Sequence, residues 1–238
     1  MNDSTRGCPT NVAAGTAYKL AKKKNNGIVY GIYWDLGFVM AHVFKFLRFS
    51  PNFVSFLSLV FYVIMGYLFL NSFFVWGGIC FFLGILMDCT DGKLARMTNN
   101  TSRLGVWLDY NFDNVRPLFL YPPIGIALFG STGDIRFVLL AFVAVVATLV
   151  FVIVSMVWDG FDFAKSVKEK HVGKSKWHPI LKQFYFYEGI EPLAVILLAA
   201  LSLINWYLII WAFGMTAMYL LMAFYGGFVI NRKDKNEN

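Results

Sequence analysis

Long apolar runs alternate with short polar segments along most of the chain. Each run approaches the roughly 20 residues that a helix needs to cross the hydrocarbon core of a bilayer. Six such runs predict membrane-spanning helices, and they lie at 52–70, 73–95, 104–130, 137–158, 189–204 and 207–230. We therefore expect an all-α integral membrane protein with six transmembrane helices.

A different pattern precedes the first predicted span. Residues 29–49 are apolar but are interrupted by polar side chains that share one helical stripe. These side chains are Asp35, His42, Lys45 and Arg48. A helix with such a stripe lies in the membrane interface and does not cross the bilayer. Ser50 and Pro51 follow, and both residue types favour the start of a new helix. We expect an interfacial amphipathic helix at 29–49.

The polar segments divide the chain into one membrane domain with short tails. The predicted parts are an N-terminal tail at 1–28, the interfacial helix, a six-helix domain at 50–230 and a C-terminal tail at 231–238. The longest polar segment, 159–188, is interpreted as a solvated loop. In an alternative interpretation, its lysines attract a phosphorylated substrate or bind anionic lipid headgroups.

Composition and charge exclude several classes of protein. Hydrophobic residues make up 58% of the chain and charged residues 15%, which is too little charge for a soluble domain. A net charge of +7 could indicate nucleic-acid binding, but only Arg136 of the 21 lysines and arginines falls on the far side of the predicted topology. This asymmetry predicts cytoplasmic termini and cytoplasmic polar loops, whose basic residues face anionic lipid. The three cysteines form no C-x-x-C pair, which argues against a zinc site.

Four aspartates interrupt the apolar pattern. Asp88 and Asp91 are three residues apart and Asp109 and Asp113 are four apart, so each pair lies on one helix face. The end of the second span and the start of the third would bring both pairs to the same membrane depth. Carboxylates so close together repel one another unless cations lie among them, and oxygen ligands favour Mg²⁺ or Mn²⁺. The alternative, acids merely solvated at helix ends, is disfavoured because ionisable groups at membrane depth are usually functional.

The segment from 88 to 113 reads D-x2-D-G-x2-A-R-x8-G-x3-D-x3-D. At all eight fixed positions it resembles the signature of the CDP-alcohol phosphatidyltransferases, integral membrane enzymes that join two alcohols through a phosphate and release CMP. The resemblance implies metal-dependent transfer of a substituted phosphate group from a CDP-linked lipid donor. It also implies a role in phospholipid biosynthesis and a homodimeric assembly.

The resemblance further implies roles for individual residues. Asp88, Asp91 and Asp109 would bind two metal ions that hold the CDP pyrophosphate. Asp113 would share a metal ion and accept the proton of the acceptor hydroxyl. The other implied nucleotide or phosphate contacts are Asn52, Gly92, Ala95, Arg96 and Gly105. For Asn52 the alternative is a plain helix start without a function. Arg116 either pairs with an aspartate or reaches a substrate phosphate, as an acceptor contact.

The resemblance implies a small alcohol or a lipid as the acceptor. DCTDGKLAR and TSRLGVWLD resemble the small prokaryotic members, including those that use inositol phosphate. Asn114, however, stands where many relatives have arginine, and the last two predicted spans contain no lysine or arginine for a phosphorylated acceptor. We therefore expect CDP-diacylglycerol as donor and an unphosphorylated small alcohol as acceptor. The alternative is transfer of phosphocholine or phosphoethanolamine from a CDP-alcohol to diacylglycerol. Glu191 matches a glutamate that many relatives carry near the head of the fifth span.

A cation-coupled transporter is the alternative from another class. Transport predicts polar residues deep along a pathway and often an internal repeat. Here the acids cluster at one predicted membrane face, the fourth span is uncharged and no repeat is evident. The sequence therefore favours the enzyme.

Overall fold

The computed structural model describes residues 28–160 and 187–237. In these two ranges the chain forms seven α-helices and no β-strand. The helices are α1 (Ile28–Phe46), α2 (Pro51–Leu70), α3 (Phe74–Met97), α4 (Arg103–Thr132), α5 (Arg136–Gly160), α6 (Tyr187–Ala200) and α7 (Ile204–Glu237). The prediction of an all-α protein is confirmed. The predicted N-terminal tail, up to residue 27, and most of the loop at 159–188 lie outside the described residues.

Four of the described helices contain a stretch that is long and apolar enough to cross a membrane. These stretches are Pro51–Leu70, Phe74–Met97, Arg136–Ile153 and Ile204–Leu221. Helix α6 offers only the shorter apolar segment Ile190–Ala200, and α4 carries two aspartates and a buried arginine. The chain is thus a multi-pass membrane protein, and the count of six spans stays a prediction.

Serine side chains cap the first turns of α2 and α4. The Ser50 hydroxyl accepts a hydrogen bond from the Phe53 amide at 3.3 Å, and Pro51 occupies the first turn of α2. The Ser102 hydroxyl accepts from the Gly105 amide at 2.9 Å at the start of α4. Each cap satisfies an amide that has no partner within its own helix. The predicted helix start at Ser50–Pro51 is confirmed.

The predicted boundary between the last two spans was wrong by several residues. Helix α6 ends at Ala200 and α7 begins at Ile204, whereas the apolar pattern placed the break after residue 204. Ser202 adopts a left-handed conformation with φ of 58°, and its amide donates to the Ala199 carbonyl. Leucines flank this serine, so the turn is hidden in a continuous apolar run. Helix α7 also continues to Glu237, past the predicted tail boundary at 231.

Helix α2 packs against both α3 and α4. Helix α3 also contacts α1 and α6, while α5 joins α4 to α7. Glycines allow two of the close approaches: a Cβ on Gly66 would lie 3.1 Å from the Phe119 carbonyl oxygen, and one on Gly84 would lie 2.4 Å from the Tyr62 ring. Short turns connect these helices. The start of α2, the end of α3 and the start of α4 therefore meet at one end of the bundle.

Basic residues at both ends of the bundle make hydrogen bonds to neighbouring groups. Lys45 on α1 donates to the Met97 carbonyl at 3.4 Å, which connects α1 to the end of α3. At the other end, Arg136 Nε donates to both carboxylate oxygens of Asp134, at 2.9 and 2.8 Å. These hydrogen bonds hold the pKa of Asp134 below its ordinary value. The only basic residue predicted on the far side is thus paired.

Candidate active site

A pocket of about 410 Å³ opens where the three helix ends meet. It is lined by Pro51, Asn52, Ser55, Asp88, Cys89, Asp91, Gly92, Lys93, Ala95, Arg96, Asn100, Thr101, Ser102, Gly105, Val106, Asp109 and Asp113. Every fixed residue of the aspartate signature is in this set, and so is Asn52. Of the predicted site residues only Arg116 is not part of the lining.

Three of the four aspartates form a tight group. Asp88, Asp91 and Asp109 each offer a carboxylate oxygen, and these oxygens lie within 4.8 Å of one another. Asp91 is buried, Asp88 is half-buried and Asp109 is exposed, so the group opens outward from the bundle. The Oδ1 atom of Asp88 is buried and has no hydrogen-bond partner among the described residues.

This donor set suits a divalent cation. A buried carboxylate oxygen without a partner costs free energy, and a cation bound there would remove that cost. Carboxylate oxygens are the ligands that Mg²⁺ and Mn²⁺ prefer. The residues present therefore suit the divalent metal that this donor chemistry predicts.

Asp113 lies outside the group of three, although it lines the same pocket. Its Oδ1 atom accepts a hydrogen bond from Arg116 Nη1 at 3.4 Å, and the Arg116 side chain is buried. Of the two predicted roles of Arg116, pairing with an aspartate is the one that the geometry supports. The guanidinium lies one helical turn deeper than Asp113 and neutralises the carboxylate from the side opposite the pocket opening.

Ser55 is a pocket residue that the sequence analysis missed. Its hydroxyl is buried and hydrogen-bonds to Oδ2 of Asp91, which places a donor from α2 on a carboxylate of α3. Asn52 and Ser55 are three residues apart and share the α2 face toward the pocket. The sequence signal that could have identified Ser55 is its spacing of three residues from Asn52 in an otherwise apolar span.

The two signature glycines have different surroundings. A Cβ on Gly105 would lie 3.1 Å from Asn52 Oδ1 and 3.2 Å from Ser102 Oγ, so the Asn52 amide covers this position closely. A Cβ on Gly92 would meet the Arg96 guanidinium at an ordinary contact distance of 3.5 Å. Close approach of two helices is therefore required at Gly105, whereas Gly92 leaves open space in the pocket.

The described basic residues of the pocket both belong to α3. Arg96 is exposed at its mouth. Lys93, which the sequence analysis missed, is buried beneath α1, and its Nζ atom donates to the Cys89 carbonyl at 2.6 Å. Asn114, the departure from the family pattern, donates to the Tyr110 carbonyl of its own helix and is not in the pocket lining.

Glu191 lies away from this pocket, between three helices. Its side chain is 1% exposed, and Oε1 accepts hydrogen bonds from the hydroxyls of Tyr121 on α4 and Tyr207 on α7, each at 2.8 Å. The glutamate therefore connects α6 to both neighbours. Its position in the structure is that of a packing residue.

Comparison with known proteins gives two findings. No curated protein matches this chain in sequence. The family model of the CDP-alcohol phosphatidyltransferases matches residues 48–224, which is more than half of the chain and includes the whole pocket. The chain belongs to the CDP-alcohol phosphatidyltransferase family, whose members are membrane transferases of phospholipid synthesis.

Proposed function

We propose that this enzyme transfers a phosphatidyl group from CDP-diacylglycerol to the hydroxyl of a small unphosphorylated alcohol and releases CMP. The observation that carries the proposal is the pocket itself: every signature residue lines it, and three of its carboxylates group within 4.8 Å. Phosphoryl transfer needs charge neutralisation, in-line positioning and a base for the incoming hydroxyl. The residues of this pocket supply groups suited to each.

Asp88, Asp91, Asp109 and Asp113 would hold the metal. When bound, two Mg²⁺ or Mn²⁺ ions neutralise the pyrophosphate and stabilise the charge on the attacking and leaving oxygens. Arg96, at the mouth, contacts a phosphate oxygen of the donor. The Asn52 amide, packed over Gly105, positions the nucleotide. Gly92 and Ala95 leave space for it.

Asp113 receives the proton in our proposal. The acceptor oxygen forms a bond to the phosphorus of the lipid phosphate, the bond from that phosphorus to the CMP oxygen breaks, and the acceptor proton passes to the carboxylate of Asp113. Two features support this division of labour. Asp113 lies apart from the group of three carboxylates, and Arg116 contacts it from the buried side and orients it.

The acceptor is proposed to lack a phosphate because the pocket has few basic groups to bind one. Its described basic residues, Lys93 and Arg96, are both on the signature helix. Asn114 is turned toward its own helix, and residues 189–230 contain no lysine or arginine. We place the pocket and both termini on the cytoplasmic side, because the basic residues concentrate there, and we propose that the enzyme is a homodimer.

The test is CMP release by the purified protein with Mg²⁺ or Mn²⁺. CDP-diacylglycerol is supplied with serine, glycerol phosphate, inositol or inositol phosphate, and CDP-choline is supplied separately with diacylglycerol. Metal-dependent release with serine or inositol that disappears in Asp113→Asn supports the proposal, whereas release only with glycerol phosphate or inositol phosphate would contradict an unphosphorylated acceptor. Release only from CDP-choline would assign the other branch of the family. No release from any donor by a folded, Mn²⁺-binding protein would contradict the proposal and favour cation transport.

A further inference from the structure

A fully buried tyrosine lies directly beneath the acidic pocket. Tyr62 on α2 has no exposed surface, and its ring occupies the space that a side chain on Gly84 would need. Gly84 lies one helical turn before Asp88 on the same face of α3. The ring therefore fills the bundle on the membrane-core side of Asp88, at the base of the pocket.

The Tyr62 hydroxyl is close to the charged groups of the site. It interacts electrostatically with Asp88, Arg116 and Asp113. It makes no hydrogen bond of good geometry among the described residues, although the Arg116 guanidinium lies near enough to interact with it. Asp88 Oδ1 is likewise buried without a partner. Two polar atoms without partners thus lie at the base of one pocket, one a donor and the other an acceptor.

We propose that Tyr62 is a positioning residue for the transfer reaction, with its hydroxyl dipole acting on Asp88 and on the Arg116–Asp113 pair from the buried side. This proposal rests on the proposed function. Outer partners of metal-binding carboxylates orient them, and their removal typically costs about 10- to 100-fold in metal affinity or activity. Gly84 is part of the same arrangement, because any larger residue there would displace the tyrosine ring.

We assign the role to the hydroxyl and not to the ring, because the buried hydroxyl does not help the protein to fold. An unpartnered buried polar group costs roughly 1–3 kcal/mol, so a phenylalanine at this position would fold at least as well as tyrosine. Packing alone therefore does not require the oxygen. Its place beside the three charged side chains of Asp88, Asp113 and Arg116 supplies a reason for it.

The experiment compares Tyr62→Phe with two matched controls. Tyr67→Phe removes an exposed hydroxyl from the same helix, and Tyr121→Phe removes a buried hydroxyl that bonds to Glu191. Mn²⁺ affinity is measured by electron paramagnetic resonance in the full-length protein, alongside thermal unfolding and CMP release. We expect Tyr62→Phe to unfold at or above the wild-type temperature and to lose about 10-fold or more in Mn²⁺ affinity or in kcat. KM for the donor should change less than kcat.

Two outcomes would overturn the proposal. One is a Tyr62→Phe protein that binds Mn²⁺ and releases CMP like the Tyr67→Phe control. The other is a destabilised Tyr62→Phe protein whose Mn²⁺ affinity falls no further than that of Tyr121→Phe, which would mean a packing role only. Should the wild type release no CMP from any donor, the proposed function fails, and the Mn²⁺ titration still decides the role of Tyr62.

Discussion

Ser55 on α2 hydrogen-bonds to the Oδ2 atom of Asp91 on α3, so one carboxylate of the acidic pocket is oriented by a neighbouring helix. Removal of this donor in Ser55→Ala would leave a buried carboxylate oxygen without its partner. We expect metal affinity or kcat to fall by about 10- to 100-fold. Mn²⁺ titration and CMP release measure the two quantities.

Ser58→Ala is the matched control, because Ser58 is also buried on α2 but its hydroxyl donates to the Ser55 carbonyl, at 2.6 Å, and not to a carboxylate. It should leave Mn²⁺ affinity unchanged. Equal losses in both variants would contradict a specific role for the Ser55 hydroxyl.

The four aspartates should respond differently to neutralisation. Asp91 belongs to the group of three and Asp113 lies outside it. Asp91→Asn should therefore reduce Mn²⁺ affinity by more than about 100-fold, since loss of a ligand exceeds loss of an outer partner. Asp113→Asn should abolish CMP release with a smaller loss of affinity. Calorimetric titration with Mn²⁺ separates the two, and a reversed order of affinities would refute our assignment.

Gly105 should not tolerate a side chain. A methyl group there would press on Asn52 Oδ1 and Ser102 Oγ, at 3.1 and 3.2 Å. Overpacking of this kind costs about 1–3 kcal/mol, so kcat/KM for the donor in Gly105→Ala should fall roughly 5- to 150-fold if that cost falls on donor binding. Gly130→Ala on the same helix is the control, because a Cβ at Gly130 has no neighbour within 4 Å. A Gly105→Ala enzyme with wild-type kinetics would show that the Asn52 contact is dispensable.

Glu191 should contribute to stability and not to chemistry. Glu191→Ala leaves the Tyr121 and Tyr207 hydroxyls without their acceptor, at a cost of about 1–3 kcal/mol for each buried group. The unfolding temperature should fall by about 2–4 °C for each kcal/mol lost. Glu191→Gln keeps an oxygen acceptor and should lose less. Thermal unfolding in detergent measures both variants. An unchanged unfolding temperature with a lower kcat would contradict this prediction and indicate a role for Glu191 in the reaction.

The proposed orientation predicts which connections face the cytoplasm. In a variant with its native cysteines replaced, single cysteines at Thr98 and Ile135 mark the two ends of the bundle, and both positions are exposed. A membrane-impermeant maleimide added to right-side-out vesicles should label Ile135→Cys and spare Thr98→Cys until the membrane is opened. The opposite labelling pattern would place the pocket outside.

Much of the fold follows from the hydrophobic pattern. The apolar runs correctly predict helices, and the Ser50–Pro51 signal correctly predicts where α2 begins. The hydrophobic pattern does not predict the turn at Ser202, because leucines flank it and no glycine or proline marks the left-handed residue. Span number and membrane orientation depend on the bilayer, so they stay predictions.

The site was predictable where its residues form one continuous motif. A short turn between two consecutive helices brings aspartates near that turn to the same end of the bundle, and the structure groups three of them. Ser55 and Tyr62 were not predictable in this way. Their contacts with α3 depend on how far α2 is rotated about its axis, and packing at Gly66 and Gly84 sets that rotation.

All described residues that line the pocket fall between 51 and 113, in three consecutive helices and the connection between the last two. The described lining residues all precede α5 in the chain, so none of them comes from α5, α6 or α7. During synthesis, which proceeds from the N-terminus, the acidic pocket can assemble before α5, α6 and α7 have left the ribosome. The last three helices then dock onto a site that already has its shape.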